Sequence, residues 1–398
     1  MSAETQDADL ESAKVPMWND PRVRALVSQA LLIILVVWFG YEIVTNTLVN
    51  LERQKIASGF GFLDTTASFG IIQTLVPYSE ASSYGRVFVV GLLNTILIAF
   101  IGIILATIFG FLVGIMRLSS NWVVAKIATV YVETLRNLPL LLQIFFWYFA
   151  VLGALPNARN SLEPVEGLVY LNSRGLYIPK PLFEDGSGAI GYAFLIALVA
   201  SFFIRRWARK RQEATGAQFP VFWTSVGLVL GLPFLAYLFS GMPIGVEISE
   251  KGRFNLSGGL QIIPEFVALL IALALYTASF IAEIVRAGIL AVSHGQTEAA
   301  HALGLRNGPT LRLVVIPQAM RVIIPPLTSQ YLNLTKNSSL ATAIAYPDLV
   351  SVFAGTVLNQ TGQAVEVLLM TMAVYLTLSL LTSMFMNWYN ARMALTER

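Results

Sequence analysis

The chain lacks cysteine entirely and has only two histidines among its 398 residues. A disulfide framework and thiolate chemistry are therefore excluded. His294 and His301 have no neighbouring cysteine or carboxylate cluster, so no metal site is expected. No G-x-x-x-x-G-K-[ST] loop is present either, so the sequence offers nothing that could cradle the phosphates of a nucleotide. A net charge of only +3 gives no indication of nucleic-acid binding.

Charge is also scarce, since charged residues make up 12% of the chain and hydrophobic residues 56%. A soluble domain carries about twice that charged fraction. The apolar residues form continuous runs of about 20, which is enough to cross a hydrocarbon core of about 30 Å as a helix. We therefore predict an all-α membrane protein with about eight transmembrane helices, at about 28–49, 87–115, 130–155, 189–204, 220–242, 264–288, 312–332 and 363–388.

The distribution of basic residues predicts the orientation of these spans. With both termini in the cytoplasm, fifteen of the 26 Lys and Arg residues fall in cytoplasmic segments and eight in outer segments, as the positive-inside rule requires. Residues 1–27 would then form a cytoplasmic tail. The densest basic cluster, Arg205 to Arg211, is typical of a flank that stops translocation and lies against anionic lipid.

A polar stretch from Gly295 to Pro317 lies between two apolar runs, in a segment at about 289–311 that this orientation places in the cytoplasm. Thr297 could cap a short helix with Glu298 in its first turn. Alanines such as Ala299 and Ala300 keep that helix thin, and Gly304 suits a left-handed end. Gly308-Pro309 suits the start of a second helix. Two short helices would project towards a soluble partner; the alternative is an ordinary connector.

Several motifs carry a family resemblance. They are Gly91-Leu-Leu-Asn-Thr95, Arg136-Asn-Leu-Pro-Leu-Leu-Leu-Gln143, Ala282-Glu-Ile-Val-Arg-Ala-Gly288, Gly295-Gln-Thr-Glu-Ala-Ala-His-Ala-Leu-Gly304, Pro317-Gln-Ala-Met-Arg321 and Leu334-Thr-Lys-Asn-Ser-Ser-Leu340. From about Val87 to the C-terminus the chain resembles the permease subunit of a bacterial polar amino-acid ABC importer, and most closely the general L-amino acid type.

The resemblance implies a type I (MetI-like) core of five helices within a permease domain at 87–398. The remaining helices would be one extra span in 28–86 and two inserted spans at about 189–242. It implies a subunit of the bacterial inner membrane that carries L-amino acids of broad or polar specificity into the cytoplasm and is not itself an enzyme. The partners would be an ABC ATPase dimer, a second permease subunit and a periplasmic amino-acid-binding protein. ATP and Mg would be bound by the ATPase, with no cofactor in this chain.

The same resemblance assigns residues to ATPase coupling and to substrate binding. The ATPase-coupling residues would be Gly295, Glu298, Ala299, Ala300, Gly304 and Pro317. The substrate-binding candidates are Lys336, Asn337, Ser338 and Ser339, with Asn94 and Gln143 as lesser ones. Pro325 and Pro326 predict a broken helix just before this polar segment, and broken helices are tolerated beside a water-filled cavity.

Simpler roles remain open for these residues. Lys336 could snorkel to the headgroups, the two serines could cap a helix, and Asn94 and Gln143 could make ordinary interhelical hydrogen bonds. Glu283 and Arg286 are spaced to form an ion pair on one helix face. As a whole-protein alternative, a secondary transporter would show inverted repeats and membrane-buried acids, and an intramembrane enzyme would need a nucleophile with a base or a metal cluster. Neither pattern is evident.

Overall fold

A computed structural model describes residue 18 and residues 20–53, 58–252 and 255–393. Most of the expected cytoplasmic tail, 1–27, lies outside these residues. Within them, seven helices are long and apolar enough to cross a membrane, or eight if one bent pair counts as a single span. The predicted helical membrane fold with about eight spans is confirmed.

The α-helices follow one another along the chain as α1 (Pro21–Arg53), α2 (Tyr84–Met116), α3 (Trp122–Asn137), α4 (Leu140–Phe145), α5 (Gly188–Thr215), α6 (Val221–Phe239), α7 (Pro264–Leu290), α8 (His294–Ala302), α9 (Asn307–Thr310), α10 (Ile316–Asn337), α11 (Leu358–Thr361) and α12 (Ala364–Met393). Wider π-helical turns extend α4 to Leu152, link α9 to α10 and lead into α11, and a 3-10 turn at Ser338–Ile344 follows α10.

The core is built where α2, α7, α10 and α12 pack against one another. Glycines allow the closest approaches. A side chain at Gly114 would lie 2.8 Å from the carbonyl oxygen of Ala282, and one at Gly110 would collide with Ile281, so α2 contacts the backbone of α7 directly. Small residues at four-residue spacing are typical of helix contacts in membranes, where close van der Waals packing drives association.

The third predicted span is not one straight helix at 130–155. It begins at Trp122 and bends by 109° between α3 and the segment Leu140–Leu152. Pro139 causes the bend, because it cannot donate a hydrogen bond to the carbonyl of Leu135, four residues earlier. The amide of Gln143 replaces that donor, with Nε2 lying 3.0 Å from the carbonyl oxygens of both Leu135 and Leu138.

The break predicted at Pro325 and Pro326 is wrong, because α10 runs through both prolines and ends at Asn337. Ile323, Ile324 and Leu327 are almost fully buried around them, so packing keeps the helix continuous although two hydrogen bonds are missing. Pro325 and Pro326 cannot donate to the carbonyls of Arg321 and Val322, which lie four residues earlier.

Short strands occur in the two loops that flank α5 and α6, a feature the all-helical prediction lacked. A four-stranded antiparallel sheet has the order β1-β2-β3-β8, and two further pairs join β4 to β5 and β6 to β7. The strands are β1 (Leu162–Val165), β2 (Val169–Asn172), β3 (Gly175–Ile178), β4 (Lys180–Phe183), β5 (Ile244–Glu247), β6 (Glu250–Lys251), β7 (Leu256–Ser257) and β8 (Leu260–Ile262). Strands of only two to four residues carry too little periodicity to be recognised from sequence.

The helices outside the expected core, α1, α5 and α6, expose most of their apolar side chains. None of the most apolar stretch of α1 is buried, and α6 has no buried residue. Apolar surface of this kind suits contact with lipid tails. The helix α5 is longer than the predicted 189–204, because the basic residues that follow the apolar run remain helical to Thr215.

Candidate functional site

The polar hairpin between α7 and α10 contains the two short helices that the sequence predicted, α8 and α9. Helix α8 begins at His294 with Ser293 in the capping position and no side-chain cap. Thr297 therefore lies inside the helix, and the prediction that it caps α8 is wrong. The second helix begins at Asn307 rather than at Pro309, which takes its third position. Since α7 continues to Leu290, the hairpin starts slightly later than 289.

Helix α8 ends as expected at Gly304, which has the left-handed φ of 78° that favours glycine. The amide of Gly304 donates to the carbonyl of His301 at 2.9 Å, and the amide of Leu305 donates to that of Ala300 at 3.1 Å. These two bonds form a Schellman motif. The turn between α8 and α9 is therefore fixed by backbone hydrogen bonds and not by a partner.

One face of α8 is open to solvent. The side chain of Glu298 is 70% exposed, with its Oε1 2.9 Å from Nδ1 of His294, and Leu303 is 83% exposed. Gly295 and Ala299 are also exposed, whereas Ala300 is 4% exposed and faces the protein. An exposed leucine beside an exposed carboxylate and small residues is a surface suited to a close-packed protein partner.

The inner face of α8 is tied to α10. Gln318 Nε2 donates to Gln296 Oε1 at 3.3 Å. Pro317, next to Gln318, takes the second position of α10. The π turn Leu311–Val315 connects α9 to α10 without interruption. Helix α8 is therefore linked to a membrane-crossing helix both along the chain and through this side-chain hydrogen bond.

An ion cluster braces the end of α7 that leads into α8. Arg286 Nη2 lies 2.7 Å from Glu283 Oε1, so the pair expected from sequence is present. Arg117, which caps α2 and whose side chain is only 9% exposed, also pairs with Glu283. Glu133 of α3 lies 3.8 Å from the same guanidinium. The cluster joins α2, α3 and α7; sequence reasoning missed Arg117, because its partners are distant in the chain.

The substrate candidates at the end of α10 have different surroundings. Ser338 Oγ and Ser339 Oγ each donate to a carbonyl of the last helical turn, at 2.8 Å. Their hydroxyls therefore cap α10, as the simpler alternative supposed. Lys336 is exposed and Asn337 half-buried. Ser338 is buried, whereas Lys336, Asn337 and Ser339 remain accessible to a solute.

The two lesser candidates have local structural roles. Asn94 is fully buried, and its Nδ2 donates to the carbonyls of Gln73 at 2.9 Å and Pro347 at 2.8 Å. Gln143 closes the bend after α3. Their amide oxygens have no partner among the described residues, but both atoms are shielded from solvent, so a substrate does not reach them in this conformation.

The structure nevertheless brings these separate motifs together. Leu140 and Ile144 of α4 belong to one buried cluster with Ile98 of α2 and Ala341 and Ile344, which follow α10. The Asn94, Gln143 and Lys336 regions therefore share a single neighbourhood.

Sequence reasoning missed Asp348 as a member of this region. It is fully buried, and its Oδ1 accepts from the amide of Ser351 at 2.8 Å. Tyr375 of α12 donates to its other oxygen at 3.2 Å. Asp348 thus caps the helical segment that follows and binds it to α12. The sequence signal for this role is an acid directly before a helical apolar run.

The amino-acid sequence matches known proteins over most of its length. A family model for the inner membrane component of binding-protein-dependent transport systems matches residues 215–395. The general L-amino acid transport system permease protein AapQ of Rhizobium johnstonii is 56% identical over 379 residues, covering 95% of this chain and 94% of that protein. The putative amino-acid ABC transporter permease protein YhdX of Escherichia coli K12 is 51% identical over 379 residues, with coverage of 95% and 96%.

A third relative has a narrower name. The glutamate/glutamine/aspartate/asparagine transport system permease protein BztB of Rhodobacter capsulatus is 43% identical over 410 residues, covering 95% of this chain and 96% of that protein. These relatives, each matched over 95% of this chain, define it as a membrane permease. More specifically, it belongs to the family of amino-acid ABC transporter permeases.

Proposed function

We propose that this chain is the membrane-spanning subunit of an ATP-driven importer that moves L-amino acids from the periplasm to the cytoplasm. The observation that carries the proposal is α8, a short helix with one open face and rigid attachments at both ends. In the proposed orientation both termini and α8 lie in the cytoplasm. An ABC ATPase dimer would bind the face that contains Gly295, Glu298 and Ala299.

The geometry around α8 explains how movement of an ATPase would reach the membrane. Gly288 of α7 and Ile323 of α10 are in direct contact beside the hairpin. The two helices that leave the hairpin therefore move together. Glu283 holds α7 to Arg117 of α2, so a displacement of α8 would tilt α7, α10 and α2 as one unit. The partner ATPase would bind Mg and ATP, and this chain would bind neither.

A stripe of exposed positions on α10, polar towards the end of the helix, is the best candidate for the substrate path. Its exposed positions recur every three or four residues and are Val322, Pro325, Pro326, Ser329, Asn333 and Lys336. Such a stripe, beside two carbonyls freed by proline, is unsuited to lipid but suited to a water-filled cavity. A second permease chain facing this stripe would enclose the path.

The depth of Lys336 supports a role in transport. Leu334, two residues away, packs on Gly102 of α2. Met116 ends α2 fourteen residues later, which at 1.5 Å per residue places Gly102 about 21 Å from that end. Gly102 also lies eighteen residues, about 27 Å, from Tyr84 at the other end of α2, so it is near the middle of that helix and away from the headgroups on both sides. A lysine at such depth needs a partner, and the carboxylate of an amino acid would provide one.

The broad specificity that we propose follows the relatives, one of which is a general L-amino acid permease. The strands of the loops opposite α8 would meet a periplasmic amino-acid-binding protein, because they form the folded surface on that side. These loops contain residues from both flanks of α5–α6, joined where β3 pairs with β8 and β4 with β5.

Reconstitution into liposomes tests the coupling role. We expect uptake of an amino-acid mixture to require ATP inside the vesicle together with the ATPase, and to be lost in Glu298→Lys while membrane insertion persists. Glu213→Lys is the matched control, because Glu213 is an equally exposed acid at the end of α5. Uptake driven by a sodium or proton gradient without ATP would contradict the proposal.

The substrate role of Lys336 needs a separate test. Lys336→Ala should lower uptake while leaving assembly with the ATPase unchanged, and Lys336→Arg should retain a large part of the activity because it keeps the charge. Wild-type transport kinetics in Lys336→Ala would remove this residue from the path.

A further inference from the structure

A positively charged groove lies between the ends of α5 and α12, outside the helices that form the core. Arg205, Arg206, Arg209 and Lys210 line it from α5, and Arg392 lines it from α12, around a volume of about 590 Å³. The described cations at the groove are exposed. This is the membrane face that carries α8, because α5 and α12 both end there.

The charges of α5 are concentrated on one side of the helix. Residues 205, 206, 209 and 210 recur at spacings that place them on the same face. Like charges four residues apart on a helix repel each other, as Arg205 and Arg209 do here. Among the described lining residues the acid is Glu213, which pairs with Arg209 at 3.1 Å. The remaining repulsion would be relieved by a bound anion.

The contribution of α12 distinguishes this groove from a simple basic flank. Excess Arg and Lys at the end of one span is expected of any membrane protein. Here Arg392 belongs to a different helix, and its guanidinium lies 4.2 Å from the centre of the Trp388 ring. Cation–π contact of this kind holds the guanidinium in place. Two helices therefore present cations to one volume.

Apolar side chains continue the groove towards the membrane. Phe202, one turn before Arg206, is 62% exposed and lines the groove itself. On α12, Phe385 is 61% exposed and contacts Trp388. A site that is cationic at one end and apolar at the other matches a lipid, with its phosphate at the arginines and its acyl chains along the aromatic rings.

We propose that this groove binds the phosphate headgroup of an anionic phospholipid from the leaflet on the α8 side. The planar guanidinium groups of Arg206 and Arg392 would bind phosphate oxygens from opposite helices. The lipid would thereby join the end of the inserted α5–α6 pair to α12. This site is independent of the coupling and transport roles proposed above.

Binding is tested on the full chain, purified in a mild detergent, by native mass spectrometry with phosphatidylglycerol or phosphatidylcholine as the added lipid. We expect retention of phosphatidylglycerol over phosphatidylcholine. Arg206→Gln and Arg392→Gln should each weaken it about fivefold, the effect of one cation at an anionic surface. Arg211→Gln is the matched control, because Arg211 lies on the same helix but contacts Trp207 and does not line the groove.

Two further arms separate a lipid site from a generally basic surface and from a site for soluble anions. Arg206→Lys keeps the charge but loses the planar guanidinium, so it should retain more phosphatidylglycerol than Arg206→Gln and less than wild type. Inorganic phosphate should not displace phosphatidylglycerol. The proposal is overturned if Arg206→Gln, Arg392→Gln and Arg211→Gln weaken retention equally, since that indicates general surface attraction. Displacement by inorganic phosphate would overturn it as well, because the groove would then bind soluble anions.

Discussion

The contact between Gly288 and Ile323 offers the sharpest test of how the hairpin is attached to the membrane helices. A methyl group at Gly288 would lie 3.1 Å from Cδ1 of Ile323, closer still to its Cγ1, and 3.3 Å from the carbonyl oxygen of Ala319. Ile323 is 2% exposed and has no room to withdraw. Gly288→Ala should therefore force α7 and α10 apart.

The expected magnitude combines two opposing effects. Overpacking of a closed core costs about 1–3 kcal/mol, and replacing glycine by alanine inside a helix gains about 1 kcal/mol. We expect Gly288→Ala to lose up to about 2 kcal/mol of stability relative to wild type, which is about 1–3 kcal/mol below a glycine-to-alanine change at an open helical position. Gly227→Ala in α6 is the control, because a side chain there meets no atom within 4 Å; it should be neutral or slightly stabilising.

A double-mutant cycle identifies the cause. Ile323→Ala removes both side-chain atoms that meet the new methyl group and alone should cost about 2–5 kcal/mol through the cavity it leaves. With Gly288→Ala the methyl occupies part of that cavity, so the double variant should lose about 1–3 kcal/mol less than the sum of the two. The readout is the fraction of monodisperse protein that survives heating in detergent. Equal midpoints for Gly288→Ala and Gly227→Ala, or strict additivity in the cycle, would refute this reasoning.

Three other outcomes follow from particular contacts. Asn94→Ala should lower the thermal midpoint, because it leaves the buried carbonyls of Gln73 and Pro347 without donors at about 1–3 kcal/mol for each unsatisfied group; an unchanged midpoint would contradict this. Glu283→Gln should destabilise by about 1–3 kcal/mol, since Arg117 is only 9% exposed and would keep only the more distant carboxylate of Glu133, at 3.8 Å, as an ionised partner. Glu213 forms an exposed ion pair with Arg209, so Glu213→Gln should change stability by no more than about 0.5 kcal/mol. Equal losses of stability in Glu283→Gln and Glu213→Gln would contradict a bracing role for the cluster around Glu283. Lys251 holds the pKa of Glu163 below its usual value. The ion pair therefore stabilises the loop at pH values above the ordinary glutamate pKa, and this stabilisation is lost as the pH falls through the lowered pKa. Amide exchange at Gly167, which donates to Glu163, should differ between wild type and Glu163→Gln at neutral pH and converge in acid; a difference that persists in acid would contradict the linkage.

Features that depend on neighbours along the chain were predictable. The apolar runs indicated the membrane helices, because a span must satisfy its own backbone hydrogen bonds within one segment. Gly304 indicated the end of α8, because the left-handed φ of 78° there favours a residue without a Cβ. The spacing of Glu283 and Arg286 indicated their ion pair, because residues three apart are neighbours on a helix.

Predictions from local helix propensity were wrong where tertiary packing opposed that propensity. Pro325 and Pro326 should break a helix, yet buried neighbours keep α10 continuous. Pro139 does end its helix, because Gln143 is positioned to take over the lost hydrogen bond. Thr297 is a good capping residue, but the helix starts three residues earlier. In each case the local propensity amounts to about 1–3 kcal/mol, which tertiary contacts can outweigh.

The sequence by itself therefore determined that this protein is a helical membrane protein with a polar hairpin between two of its spans, because hydrophobic length and turn chemistry are written in consecutive residues. Only the tertiary structure decided that Gly288 meets Ile323, that Arg117 completes the brace around Glu283, and that Arg392 shares a groove with the basic face of α5. These contacts join residues far apart in the chain, and their existence depends on how closely helices approach one another, a property that no single segment encodes.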